Sequence, residues 1–143
     1  MEIGTIGECV YTVKKEDLAS EIAFGAEDSF PEVYATSRMI ALMEVSAARM
    51  MKPLLQPGQL SVGVGVDIKH FAPTPVGEEV RAVARYHGLD GKIHQFTIDV
   101  FDKAGKVASG QHSRAIVMTE KLVEAARLRM ANAVIDKSSS SMT

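Results

Sequence analysis

The chain has 143 residues, 46% of them hydrophobic and 24% charged, which is the size of one ordinary domain with enough apolar material for a core of its own. A net charge of −2 without any run of Lys/Arg leaves no footprint for nucleic acid or for an anionic membrane surface. No apolar segment approaches the roughly 20 residues of a bilayer span, and Cys9, the only cysteine, rules out an intrachain disulfide and argues against a cysteine-built metal site.

Alternation at Cys9–Val13 predicts a first strand. Residues 14–32 mix acids with Gly25 and Pro31 and read as a loop with room for a short helical turn. "YATSRMIALMEVSAARMM" follows at 34–51. Thr36 or Ser37 supplies an N-cap, and Pro53 ends the run because the residue before a proline disfavours the helical region. The expected helix spans about 36–52 and is apolar nearly all round, the mark of a central helix.

After the turn "QPGQ" the period becomes two. In "SVGVGVDIKH" Val62, Val64, Val66 and Ile68 share one face, and His70 falls in their phase. "APTPVGE" breaks that strand. "EEVRAVARYH" and "KIHQFTIDVFD" then flank "GLDG", a hairpin signal, and "DKAGK" turns the chain into "VASGQHSRAIVM". Helical spacing resumes over 120–135, and a tail from 137 to 143 is expected to be disordered. Strand, buried helix and four strands joined by short turns give an α+β fold, a single domain in which an antiparallel sheet wraps a long central helix.

Glu44, in the middle of that helix, is the residue to explain. An isolated buried carboxylate is very costly, so it must be paired, exposed through an opening, or used. Arg49 and Arg38 lie five and six residues away, poor spacings for an intrahelical pair. A strand residue is the other structural partner, and His70, at the end of the strand expected to pack on the helix, is the leading candidate. Thr36 is either a cap or a group beside the partial positive charge of the helix start, where a carbonyl oxygen or oxyanion would sit. The rise from Thr36 to Glu44 is about 12 Å, so one helix cannot bring both to one carbonyl. If both act, a second subunit must complete the site. Gly63 and Gly65 lack the strand–turn–helix context of a phosphate loop and mark a bulge or a close approach instead. His87, His94 and His112 stand in plain turn or strand settings. Their separations match no compact zinc motif, and no metal is expected.

A helix with a central acid inside an antiparallel sheet resembles the hotdog-fold acyl-CoA thioesterases. Within them, "FPEVYATSRMIALMEVSAARMMKPLLQPGQLSVGVGVDIKHFAPTPVG" is similar to the fluoroacetyl-CoA thioesterase branch, from about Phe30 to the "SGQHSRAIV" strand. The resemblance implies a catalytic set of Thr36, Glu44 and His70. It also implies a backbone role for Gly63 in the active site and, for Arg114, either a place near substrate or a structural ion pair. That branch closes its pocket with two phenylalanines three residues apart. Phe30 fills the second position, but Glu27 stands at the first, which turns the expectation toward a polar or different short acyl group.

The reading is therefore hydrolysis of a short acyl-CoA thioester by a homodimer with sites at the subunit interface. It needs no cofactor beyond the CoA of the substrate. Lys69, Arg81 and Arg85 are the candidates for CoA contacts. A non-catalytic acyl-CoA binding or sensing module is the alternative from another class. A hotdog hydratase is the other enzymatic reading, but it pairs Asp and His on a loop-to-helix stretch, and no helix start here offers that pair. The N-terminus, MEIGTIGECV, has neither the basic nor the apolar region of a secretory signal, so the expected compartment is the cytoplasm.

Overall fold

The computed structural model describes residues 1–140, with side chains to residue 133. Five strands form one antiparallel sheet: β1 (Ile6–Thr12), β2 (Gln59–His70), β3 (Glu79–Asp90), β4 (Ile93–Asp102) and β5 (Gly105–Met118). Their order across the sheet is β1-β3-β4-β5-β2. Helix α1 (Thr36–Met51) lies against the sheet, and α2 (Thr119–Ser140) continues from β5.

The alternating segments fold as their pattern dictates. On β3, Val80, Ala82, Ala84 and Tyr86 point inward, and on β4 His94, Phe96, Ile98 and Val100 do so. The alanines leave room for α1, which presents Met39, Met43, Ala47 and Met51, all at most 2% exposed. These positions recur every four residues and stack along one stripe. Burial of each methionine contributes about 1.5–3 kcal/mol, which fixes the helix on the sheet. Ser46, the polar member of that face, donates to the Met43 carbonyl at 2.6 Å and so carries no unmet hydrogen bond inward. Pro53 ends the helix as expected, in a short 3-10 turn at Lys52–Leu54.

Several expectations are corrected. The first strand runs from Ile6 to Thr12, three residues earlier at its start than the alternation implies. The loop after it contains two 3-10 turns, Lys15–Asp17 and Ala19–Glu21. Neither Thr36 nor Ser37 caps α1. Ala35 holds the cap position without a side-chain bond, which frees the Thr36 hydroxyl. The helix is not buried all round, since Ser37, Arg38, Ala41, Val45 and Arg49 form an exposed face.

The β3–β4 hairpin turns at Gly91, whose positive φ of 63° suits glycine, rather than across all of "GLDG". Most consequential is β2. Its expected apolar face is interrupted between Gly63 and Gly65 by a bulge, and Val64 and Val66 are 53% and 45% exposed. The strand also lies at the far edge of the sheet, paired with β5 alone.

Helix α2 is longer than expected and reaches Ser140, so positions 137–140 of the expected tail are helical, while 141–143 lie outside the described residues. Among the described residues, no helix is long and apolar enough to cross a membrane.

Candidate active site

The site residues fall into two groups along α1. At the helix start, Thr36 is the first helical residue, and its Oγ1 lies 2.8 Å from His70 Nδ1 at the end of β2. Backbone ties hold this end in place. Ala35 N–H donates to the Asp17 carbonyl at 2.9 Å, Tyr34 N–H to the Thr74 carbonyl at 2.8 Å, and Phe71 N–H to the Val107 carbonyl at 2.9 Å.

Asp17, 1% exposed, accepts from the Tyr11 hydroxyl (2.5 Å), the Lys14 N–H (2.8 Å) and Arg38 Nε (3.0 Å). Burial alone would raise its pKa, and these bonds overcome that effect and hold it below the ordinary carboxylate value. A cleft of about 330 Å³ opens here, lined by Thr36, His70, Phe71, Ala72, Pro73 and Val33 among others. His70 Nε2 is buried without a hydrogen-bond partner. Burial lowers the His70 pKa, which favours a neutral imidazole.

Two turns further along α1, Glu44 faces β2 and β5. Its Oε1 is 3.5 Å from Arg114 Nη1 and 4.0 Å from His112 Nε2, with its side chain 39% exposed. Within one chain His70 therefore does not partner Glu44, contrary to expectation. The strand partner is Arg114, and His70 pairs with Thr36 instead.

Gly63 sits opposite Arg114 across the β2–β5 ladder. A Cβ there would overlap Glu44 Oε1 and lie 3.2 Å from His112 Cε1, so only glycine leaves the carboxylate its place. The Arg114 guanidinium is 8% exposed and donates through Nε to Ser61 Oγ and through Nη2 to the Ser61 carbonyl, both at 3.0 Å. Burial lowers its pKa, and Glu44 opposes that shift.

His112 is the member that sequence patterning passed over. It stands two residues before Arg114 on the same face of β5. That shared phase with a buried cation was the available signal. Its Nδ1 is 2.8 Å from the Gly65 carbonyl and its Nε2 is 3.1 Å from Arg114 Nη1. Burial, the largest effect, lowers its pKa and the Arg114 charge adds to this, against opposing contributions from the Gly65 hydrogen bond and from Glu44.

The remaining candidates lie apart. Phe30 is 51% exposed in the loop before α1 and does not line the Thr36–His70 cleft, whereas Phe71 does. The Glu27 carboxylate folds back beside Gly25. Arg81 pairs with Glu8 at 2.9 Å, and Arg85 reaches the Gly4 carbonyl at 3.4 Å, both at the β1 side of the sheet. Lys69 is exposed beside His70. Among the described residues, no three His, Cys, Asp or Glu side chains converge as metal ligands would.

Comparison with known proteins gives the family of the chain. The family model of the fluoroacetyl-CoA-specific thioesterase, FlK, matches residues 13–120. A fluoroacetyl-CoA thioesterase of Streptantibioticus cattleyicolor is 37% identical over 92 residues, which make up 64% of this chain and 66% of that relative. A solved structure of the fluoroacetyl-CoA thioesterase FlK is 31% identical, with a TM-score of 0.82 over 90% of this chain and 96% of its own. A hot-dog-like protein from Thermanaerovibrio acidaminovorans, 24% identical, shares the fold with a TM-score of 0.76 over 89% of this chain and 91% of its own. With its antiparallel sheet around α1 and the matched stretch containing Thr36, Gly63, Glu44, His70 and Arg114, the chain is a hotdog protein and belongs to the fluoroacetyl-CoA-specific thioesterase family.

Proposed function

We propose that this chain hydrolyses a short acyl-CoA thioester to the free acid and CoA, in a homodimer whose two sites each draw on both copies. The observation that carries this reading is the division of the site. Thr36 and His70 form one half and Glu44, Arg114 and Gly63 the other, with two turns of helix between them.

The exposed edge of β2, twelve residues long and carrying Leu60, Val64 and Val66, favours self-pairing as the way the halves meet. Antiparallel pairing about a two-fold axis between Val66 and Asp67 would set Gly63 of each copy opposite His70 of the other.

In such a site the N–H groups at the start of α1 and the Thr36 hydroxyl face the thioester carbonyl oxygen and stabilise the oxyanion as it forms. Glu44 either takes a proton from water, whose oxygen adds to the carbonyl carbon, or adds directly to give an anhydride that water then cleaves. The tetrahedral intermediate expels the CoA sulfur. One water proton ends on that sulfur by way of neutral His70, and the other is released as the acid ionises. Arg114 acts at the acyl end of this site, and Gly63 through its backbone. Glu27, in place of a second aromatic, favours a polar or otherwise different short acyl group over fluoroacetyl.

Two measurements test the reading. Thiol release from acetyl-, fluoroacetyl-, malonyl-, short branched, longer and aromatic acyl-CoAs is expected to be fast for one short acyl group. Absence of release from every thioester by folded dimer would sink it in favour of an acyl-CoA binding module. The division of the site is tested by mixing Glu44→Gln with His70→Ala chains. Half of the randomly formed dimers would be mixed and half of their sites intact, so about a quarter of the normal activity should return from two inactive proteins. No recovery on mixing would place the whole site within one chain.

A further inference from the structure

We propose that His112 is a positioning residue for Glu44, acting through Arg114. This rests on the reading of Glu44 as the catalytic carboxylate.

The hydrogen bonds fix its chemistry. The Gly65 carbonyl, 2.8 Å from Nδ1, can only accept, so Nδ1 carries the proton. Nε2 of the neutral ring is then a bare lone pair, and it accepts from Arg114 Nη1 at 3.1 Å. Ser61 meanwhile takes Nε and Nη2. Three acceptors therefore hold the guanidinium in one plane and leave Nη1 aimed at Glu44 Oε1, 3.5 Å away.

A long contact of this kind is set by where the donor is held rather than by its own strength. Remove the Nε2 acceptor and the guanidinium, held only along its Nε–Nη2 edge by Ser61, can pivot about that edge and carry Nη1 away, while the Glu44 side chain, 39% exposed, has no other hydrogen-bond donor among the described residues. The ring also fills the space beside Gly63, with Cε1 at 3.2 Å from where a Cβ would lie, so it limits the carboxylate on the side away from the helix. Its side chain is 2% exposed, which keeps water from substituting for the lone pair.

The test separates the two ring nitrogens. His112→Asn keeps a donor near the Gly65 carbonyl but loses the acceptor toward Arg114. His112→Gln reaches as far as Nε2 and restores an acceptor there. With acetyl-CoA and fluoroacetyl-CoA as probes, His112→Asn is expected to lose about 10- to 100-fold in kcat with KM little changed, because the carboxylate is misplaced rather than the substrate lost.

His112→Gln should stay within about threefold of the unsubstituted chain, the cost of one imperfect hydrogen bond. In a Glu44→Gln background, His112→Asn should have no further effect, since the group it positions is gone. An unaltered kcat in His112→Asn, equal losses in both variants with KM rising together, or a full additional loss in the Glu44→Gln background would each overturn the proposal. If Glu44→Gln is itself fully active, the catalytic reading of Glu44 fails instead, and the two failures are told apart by that single variant.

Discussion

Gly63→Ala is the sharpest test of the Glu44 half-site, because one methyl group should separate activity from stability. Gly63 has no positive φ, so an alanine meets no backbone strain there. In an ordinary strand the exchange would add about 0.5–1 kcal/mol of stability by removing the glycine's conformational freedom. Here the new Cβ overlaps Glu44 Oε1 and comes within 3.4 Å of its Cδ and 3.2 Å of His112 Cε1.

The neighbour that gives way is the carboxylate. Its side chain is 39% exposed and free to swing outward, whereas the His112 ring is locked by Gly65 and Arg114. A displacement of about 1 Å at a reacting group costs about 10²-fold in rate. The expected result is a kcat near one hundredth of normal with a melting midpoint unchanged or a few degrees higher. Paired measurements of thiol release and thermal unfolding read both. Full activity at normal stability would refute the placement of the catalytic carboxylate against Gly63. A large loss of stability would show that the ring and not the carboxylate yields.

Thr36→Ala should cost about 10²-fold in kcat, the value of one oxyanion donor, with little change in melting, because Ala35 and not Thr36 caps the helix. Thr36→Ser should recover most of the activity, and comparable melting loss in both variants would show the hydroxyl to be structural. Stability should fall as pH drops below about 6.5, where the unfolded histidines begin to bind protons that half-buried His70 and buried His94 and His112 resist. The folded-state pKa of each is lowered, so the unfolded state binds more protons in that window and stability rises with pH through it. Urea midpoints followed from pH 7.5 down to about pH 5 check this, and a flat profile would contradict the burial of these rings.

The elements that local patterning made legible are those whose two faces meet different surroundings. Strands β3 and β4 alternate because one side lies on α1, and Met39, Met43, Ala47 and Met51 form a stripe for the complementary reason. The apolar run of β2 misleads because its exposure is decided by position in the sheet, and no local pattern states that β2 crosses to the far edge beside β5. Glu44 was legible as a problem but not in its solution. Its partner is chosen by the register that sets Gly63 opposite Arg114, a relation between residues 51 positions apart in the chain. Thr36 and His70 were each legible alone, and their 2.8 Å contact depends on the same unseen register at the other end of β2. His112 was passed over because a histidine on a strand of mixed pattern resembles many that only fill space.

The bulge in β2 explains how a helix carboxylate, an arginine and a histidine come together on a sheet. Gly63 pairs with Arg114 and Gly65 with Ser113, so Val64 is the extra residue that β5 does not match. A regular ladder would place both glycines on one face and send the residues beyond them to the face opposite the one they now occupy. The bulge instead lets the Gly65 carbonyl meet His112 Nδ1 while Gly63, without a side chain, makes space for Glu44. It also resets the phase so that His70, seven residues on, ends the strand facing Thr36. One unpaired residue therefore serves both half-sites. It shapes the pocket for the acid at one point of β2 and aims the histidine at the other, with roughly 20 Å of strand between them. Under the proposed self-pairing of β2, antiparallel alignment would fold that distance back on itself and set each end against the other copy's opposite end.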